Sequence, residues 1–248
     1  MDNIVAPLFP TKLPRVNATR AQSSIERGRP MLVEFWDFCR PNSLRTLPYV
    51  KAWHERYAEA GLRVIGVHSP GFEASQDADA VRAAVARLEI SYPVLIDSEL
   101  EVWNDYENVG WPVRYLFDGH ARLFEYHYGE GAYEETELAI QELLGVQREP
   151  LAPLRPEDAP GALLVPQTPD HEGPYSGPYE AGGVWAVLGG EGSIRVSGGE
   201  SGDGKDLRVD HPGAYELIAH ERSTAGLLEL EIGDGVVCHA TCFTPGLA

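Results

Sequence analysis

Residues 31–50 read MLVEFWDFCRPNSLRTLPYV, and this stretch decides the fold. Its first six residues form a short apolar run of the kind that makes a buried strand. Arg40-Pro41-Asn42 then predicts a turn. Four apolar residues follow with the spacing of one helix face: Leu44, Leu47, Val50 and Trp53. The tip of such a turn lies at a helix N-terminus, where backbone N–H groups and the helix dipole stabilise a thiolate, so the tip residues determine the available chemistry.

The chain continues from this unit with alternating strands and helices. The patterns predict a first helix from about residue 43 to 60. Later elements are predicted as strands at 62–67 and 92–97, helices at 78–88, 100–106 and 133–144, and a β-hairpin formed by 113–118 and 121–128. This order is typical of an α/β protein with a mixed central sheet and helices on both faces.

The sequence changes in character after residue 146. Residues 146–160 contain four prolines and no apolar periodicity, which indicates a semi-rigid linker. Beyond it, short alternating runs are separated by glycine clusters, as in an antiparallel sandwich or jelly roll. We therefore expect four segments: an extended lead-in at 1–30, an α/β domain at 31–146, a proline-rich linker at 147–160 and a small all-β sandwich domain at 161–248. The all-β strands are predicted at 184–188, 193–196, 207–209, 215–218, 227–232 and 236–243.

The composition argues against several classes of partner. The chain has 38 acidic and 20 basic residues in 248, a formal net charge of −18, and such a chain is repelled by nucleic acid. The N-terminal sequence has no basic segment followed by a long apolar run, so neither a secretory signal nor a membrane anchor is expected. Three cysteines, Cys39, Cys238 and Cys242, are too few for a disulfide framework. The expected location is therefore the cytoplasm.

Motifs for metals and common cofactors are missing from the sequence. The eight histidines show no metal-ligand spacing, and there is no glycine-rich nucleotide motif, so no cofactor is expected. His68 follows a predicted strand end, near where α/β sheets place ligands. A single histidine there is more often a surface or capping residue.

Several segments resemble a known family. VEFW, LRTLPYV with its in-helix Pro48, GLRVIGVHSP, ISYPVLID, GWPVRYLFD and YHYGEGAY resemble the thioredoxin-like redoxins of the DipZ/TlpA group, which overlap in sequence with the AhpC/TSA superfamily. The resemblance implies a thioredoxin fold for residues 31–146. PQTPD and VWAVLGGEGSIRV resemble the small β-sandwich that follows the thioredoxin domain in DipZ proteins, a domain similar to carbohydrate-binding modules.

The family resemblance implies thiol–disulfide exchange by a Cys-x-x-Cys pair at the strand-to-helix tip. Trp36 and Pro48 have the spacing that the family uses, so the two cysteines are expected at positions 40 and 43. Those positions hold Arg40 and Ser43, and Cys39 lies one residue too early. The chain therefore has the expected ancestry of a thiol–disulfide oxidoreductase without its dithiol.

Cys39 has two interpretations at this point. As a catalytic residue, it takes the place of the first cysteine, is activated by Arg40 and the helix N-terminus, and acts like a one-cysteine peroxidase. As a structural residue, it packs like a small apolar side chain at the end of the strand. The spacing from Trp36 to Pro48 favours the structural interpretation.

The same region supplies candidate binding residues. Arg40, Asn42 and Ser43 form an anion site at the helix start, or one of them simply caps the helix. Pro112 matches the cis-proline that the family places opposite the reactive turn, and Trp111 then lines the groove together with Trp36. The expected partner is a protein or peptide with a thiol or disulfide, or a small anion. Alternatively, the domain is a redox-inactive binding or scaffold module that uses the same groove.

The all-β domain contains four aromatic residues for which two roles are open. An exposed, coplanar set would bind a sugar, whereas buried rings would belong to the core, which is the more common outcome. The residues are Tyr175, Tyr179, Trp185 and Tyr215. A homodimer built through this domain is also open.

Overall fold

The computed structural model describes residues 4–18, 28–198 and 204–248. The chain divides into two compact units. The first unit comprises residues 1–37, 42–71 and 76–152, and the second comprises residues 38–41, 72–75 and 153–248.

The first unit contains a six-stranded mixed sheet, in the order β1-β4-β3-β2-β5-β6. Strands β2, β3 and β4 are parallel to one another, while β1, β5 and β6 join antiparallel. The strands are β1 Arg15–Val16, β2 Met31–Trp36, β3 Arg63–His68, β4 Val94–Ile96, β5 Val113–Phe117 and β6 Leu123–Tyr128. Every residue of β2 is buried, as its place between β3 and β5 requires.

Among the residues that the structure describes, four α-helices accompany this sheet. They are α1 Pro41–Tyr57, α2 Ala78–Arg87, α3 Glu101–Asp105 and α4 Tyr133–Leu144. Helix α1 begins two residues before the predicted start, since proline is well suited to the first helical position. It also ends earlier than predicted, and the turn after it contains Gly61 with a φ of +111°, a conformation that favours glycine. The predicted α/β thioredoxin fold, with a mixed sheet and helices, is confirmed.

The N-terminal lead-in contributes to the first unit. The sequence predicts only an extended segment here, but Arg15 and Val16 pair with Leu95 and Val94 at the edge of the sheet. Val5 forms a bridge with Arg122 beside the hairpin. A strand of two residues that follows several prolines has no recognisable sequence pattern. It forms because Val94 and Leu95, far away in the sequence, pair with it.

The strands described in the second unit are all antiparallel, and a 3-10 helix, Pro156–Asp158, precedes them. Six of them form one sheet in the order β11-β10-β12-β9-β13-β8, and β14 pairs with β7. The strands are β7 Leu164–Val165, β8 His171–Glu172, β9 Gly177–Gly190, β10 Gly192–Ser197, β11 Lys205–Val209, β12 Gly213–Ile232, β13 Val236–Thr244 and β14 Gly246–Leu247. The predicted strands 215–218 and 227–232 are parts of a single strand, β12. Two register shifts against β9 interrupt its alternation, which explains why the sequence suggested two strands.

One hydrophobic core lies within the strands of the second unit. It draws residues from both long strands and from β10, β11 and β13. Tyr179 and Trp185 are buried, and Tyr179 stacks on Phe243 at 5.9 Å between ring centroids. Two of the four aromatic residues considered for a sugar platform are therefore buried. Tyr179 belongs to this core, whereas Trp185 lies on the opposite face of β9 from the core residues Val184 and Ala186. In the described ranges, no helix is both long and apolar enough to span a membrane.

Candidate functional site

Asp37, which follows β2, is hydrogen-bonded both to the first turn of α1 and to the loop after β3. The Asp37 amide donates to the Ser43 hydroxyl oxygen at 3.2 Å, and the Gly71 amide donates to Asp37 Oδ2 at 2.8 Å. Both Asp37 and Ser43 are fully buried, whereas Asn42 is exposed. Ser43 therefore closes the turn with its hydroxyl.

His68 ends the neighbouring strand β3 and faces the same region. Its Nε2 atom lies 3.5 Å from Asp37 Oδ1, and neither side chain is exposed. The Trp36 ring meets the His68 ring edge to face at 5.0 Å between centroids. The expectation of a surface or capping histidine is wrong, because β3 is an interior strand whose last side chain is enclosed by β2 and the turn. In the described ranges, no group of three or more metal-ligating side chains is present.

The end of β4 contributes a second buried carboxylate. Asp97 accepts hydrogen bonds from the Ser69 hydroxyl at 3.0 Å and from the amides of Val102 and Trp103 at the start of α3. Burial raises the pKa of Asp97, and the amide and hydroxyl hydrogen bonds act in the opposite direction. Asp97 thus fixes Ser69 and α3 together.

Trp111 is oriented by this arrangement. Its indole Nε1 donates to the Ser69 carbonyl at 2.8 Å, and its ring stacks on Trp103 at 4.0 Å with an interplanar angle of 21°. The Trp111–Pro112 peptide bond is cis. Trp111 remains partly exposed while Pro112 is buried. Of the predicted site residues, the first unit holds Trp36, Asn42, Ser43, Trp111 and Pro112.

Cys39 and Arg40 belong to the second unit. Cys39 is fully buried. The Arg40 guanidinium lies 4.4 Å from the centre of the Phe72 ring, a cation–π distance, and Arg40 is partly exposed. The carbonyl of Phe38, the residue before Cys39, accepts a hydrogen bond from the Ala214 amide at 3.2 Å.

The two remaining thiols lie on β13. Burial raises the pKa of Cys238, and burial together with the nearby Asp170 raises the pKa of Cys242 to about 12. A thiol with so high a pKa provides almost no thiolate at neutral pH. Neither cysteine has the properties of a reactive residue.

A buried acid–base pair in the sheet was not predicted from sequence. Glu34 on β2 and Arg114 on β5 are cross-strand neighbours, and both are fully buried. Burial raises the pKa of Glu34 to about 8, although the charge of Arg114 and the hydroxyl of Tyr92 lower it. Arg114 donates to the Gly131 carbonyl at 2.7 Å. An acidic residue inside an otherwise apolar strand, MLVEFW, was the available signal.

Several known proteins are similar to part of this chain. No family model matches the chain. DipZ of Mycobacterium tuberculosis is 35% identical over 148 residues, which cover 57% of this chain and 21% of DipZ. The thiol-disulfide oxidoreductase YkuV of Bacillus subtilis is 25% identical over 116 residues, covering 47% of this chain and 78% of YkuV.

A solved structure, that of a thioredoxin-like protein in the oxidised form, superposes with a TM-score of 0.53. It is 22% identical and covers 58% of this chain and 98% of that protein. The chain spans about a fifth of the length of DipZ, so the likeness concerns one region of that larger protein. The chain is therefore similar to the thioredoxin-like redoxins of the DipZ group, and its first unit has the thioredoxin fold.

Proposed function

We propose that this chain is a thioredoxin-like protein of thiol–disulfide oxidoreductase ancestry that has lost dithiol exchange and binds a protein or peptide segment without covalent chemistry. The spacing from Trp36 to Pro48 assigns the two family cysteines to Arg40 and Ser43. The observation that carries the proposal is the Ser43 hydroxyl, which accepts the Asp37 amide within the turn. A serine in this role cannot form or break a disulfide.

The state of Cys39 also favours binding over residual redox chemistry. A peroxidase or exchange thiol must be approached by its substrate and must ionise. Cys39 has no exposed surface in the folded chain. Packing as a small apolar residue accounts for its position without a catalytic role.

The binding role is supported by what the first unit retains. Trp111 is partly exposed and is oriented by Ser69 and Trp103. A fixed aromatic ring beside a buried proline offers apolar contact area at little entropic cost. Relatives such as YkuV are thiol-disulfide oxidoreductases by name, so a protein segment is the class of partner that we propose.

Reduction of insulin by dithiothreitol tests the loss of exchange. The wild-type chain is expected to leave the uncatalysed rate unchanged, and so is Cys39→Ser. The double variant Arg40→Cys, Ser43→Cys is expected to accelerate the reaction, while each single variant, as a matched control, does not.

Two results would contradict the proposal. Wild-type acceleration that disappears in Cys39→Ser would restore Cys39 as the catalytic residue. A folded double variant that forms no disulfide would mean that the assignment of Arg40 and Ser43 to the family positions is wrong. Circular dichroism establishes that each variant is folded before its rate is compared.

A further inference from the structure

The first unit contains a second concave surface, formed by the N-terminal segment, the end of α3 and the β5–β6 hairpin. It encloses a pocket of about 500 Å³. Five aromatic rings line it, those of Tyr106, Tyr115, Phe117, Tyr126 and Tyr128. None of the catalytic or binding residues considered above lines this pocket.

Three of these rings form a fixed corner. The Tyr115 and Tyr126 rings, directly opposite on β5 and β6, are nearly parallel, with an interplanar angle of 24°. The Tyr128 ring stands almost perpendicular to both, at 80° to Tyr115 and 83° to Tyr126. The Tyr115 hydroxyl donates to Asn108 Oδ1 at 2.7 Å and lies 2.9 Å from the Tyr128 hydroxyl, which holds two of the rings in place.

The rings are available to a ligand. Tyr126 is 57% exposed and Tyr128 is 40% exposed, so two faces of the corner are open to solvent. Exposed rings that are held by hydrogen bonds and stacking lose little freedom on binding. The three rings are thus preorganised to bind a small ligand group.

The charge around the pocket has one sign. Asp105 and Glu107 line it, and no lysine, arginine or histidine appears among its described lining residues. Both carboxylates act on the tyrosines: besides burial, the charge of Asp105 contributes to the raised pKa of Tyr106, and that of Glu107 contributes to the raised pKa of Tyr115. Aromatic faces are also negative, so rings and carboxylates together favour a cation.

We propose that this pocket binds an organic cation, with an alkylated ammonium group in the corner of Tyr115, Tyr126 and Tyr128 and the Asp105 and Glu107 carboxylates beside it. Cation–π attraction and charge complementarity supply the selectivity. A sugar is less suited to this site, because sugar platforms present coplanar exposed rings, whereas the two exposed rings here, Tyr126 and Tyr128, are nearly perpendicular.

Choline is a suitable probe, and 3,3-dimethylbutan-1-ol is its neutral isostere. Ligand-observed NMR on the full chain is expected to show saturable binding of choline that is at least about fivefold tighter than that of the isostere. Added salt is expected to weaken choline binding, because the carboxylates are exposed.

The variants Tyr126→Leu and Phe124→Leu form a matched pair. Both residues are exposed rings on β6, but Phe124 does not line the pocket. Tyr126→Leu is expected to weaken choline binding about twofold to fivefold, and Phe124→Leu to leave it unchanged. The double variant Asp105→Asn, Glu107→Gln is expected to weaken it and to remove most of the salt dependence.

Three outcomes would overturn the proposal. They are no saturable binding of choline, equal affinity for choline and its neutral isostere, and equal effects of the two β6 variants. Saturable binding of a neutral sugar in place of choline would also refute it and would assign the pocket to carbohydrate.

Discussion

Glu34 contributes to how the stability of the first unit depends on pH. Its carboxyl group is fully buried on the central strand β2, and burial raises its pKa from 4.5 to about 8. Between these two values the folded chain keeps a proton that the unfolded chain has released. The folded state therefore binds more protons, and stability falls as pH rises through this window.

The size of the effect follows from the two pKa values. The window from 4.5 to about 8 spans roughly 3.5 pH units, and each unit is worth about 1.4 kcal/mol. Ionising Glu34 in the folded protein therefore costs about 5 kcal/mol in total. The slope is about 1.4 kcal/mol per pH unit, and the loss is complete above pH 8. Glu34→Gln cannot ionise, so it lacks this dependence.

Urea unfolding at several pH values between 5 and 9 measures the effect. Four of the five tryptophans, Trp36, Trp53, Trp103 and Trp111, lie in the first unit, so fluorescence mainly follows its unfolding. The free energy of unfolding of Glu34→Gln is expected to rise relative to wild type by several kcal/mol from pH 5 to pH 9. Glu142→Gln, at an exposed position on α4, is the control and is expected to run parallel to wild type.

Parallel curves for Glu34→Gln and wild type would refute this reasoning. Such a result would mean that Glu34 is ionised in the folded state near neutral pH and that Arg114 fully offsets the loss of hydration. If wild type instead gained stability relative to Glu34→Gln as pH rises, the ionised pair of Glu34 and Arg114 would stabilise the folded state.

Three further predictions concern buried polar groups. Glu137→Ala is expected to destabilise the first unit by about 3 kcal/mol in urea, because a buried indole N–H and a buried tyrosine hydroxyl lose their acceptor, whereas Glu137→Gln costs less. Asp97→Ala is expected to cost about 2 kcal/mol by thermal unfolding, since two amides of α3 lose their acceptor; a loss below 0.5 kcal/mol would contradict this. With a thiol-reactive dye, native Cys39 and Cys242 are expected to stay unlabelled and Cys238 to react slowly, whereas all three react in urea; rapid native labelling of Cys39 would reopen its redox role.

Local sequence patterns are sufficient to predict most strands and helices of the first unit. Strands β2 and β3 are short apolar runs, and the β5–β6 hairpin has a turn and an alternating return strand, so neighbouring residues alone define them. Strand β1 could not be found in this way, because its two residues become a strand only by pairing with Val94 and Leu95. Strand β12 was divided in two because its register shifts imitate strand ends.

The candidate site was predicted only where family spacing applied. Family spacing nominated Trp36, Ser43, Trp111 and Pro112, whose role stays a prediction, whereas the polar residues that contact them were not nominated. Asp37 and Asp97 each follow the last residue of a strand, and His68 ends the strand between them. The carboxyl ends of parallel strands meet at one edge of a sheet, so these three positions carried a usable signal. Which of these residues contact one another depends on the order of the strands in the sheet, and that order cannot be read directly from the sequence.

The turn between β2 and α1 keeps its conformation without the cysteines that the family uses for catalysis. A Cys-x-x-Cys disulfide closes a loop of only four residues, so it constrains the unfolded chain by about 2 kcal/mol. Here the turn is held by hydrogen bonds of Asp37 to Ser43 and Gly71, which do not need sulfur. The surrounding sheet is stabilised by buried apolar and aromatic contacts such as those of Phe35 with Trp103. If the chain has lost the dithiol, as we propose, a reaction is removed at a modest cost in stability, and a binding role would be sufficient to keep this fold.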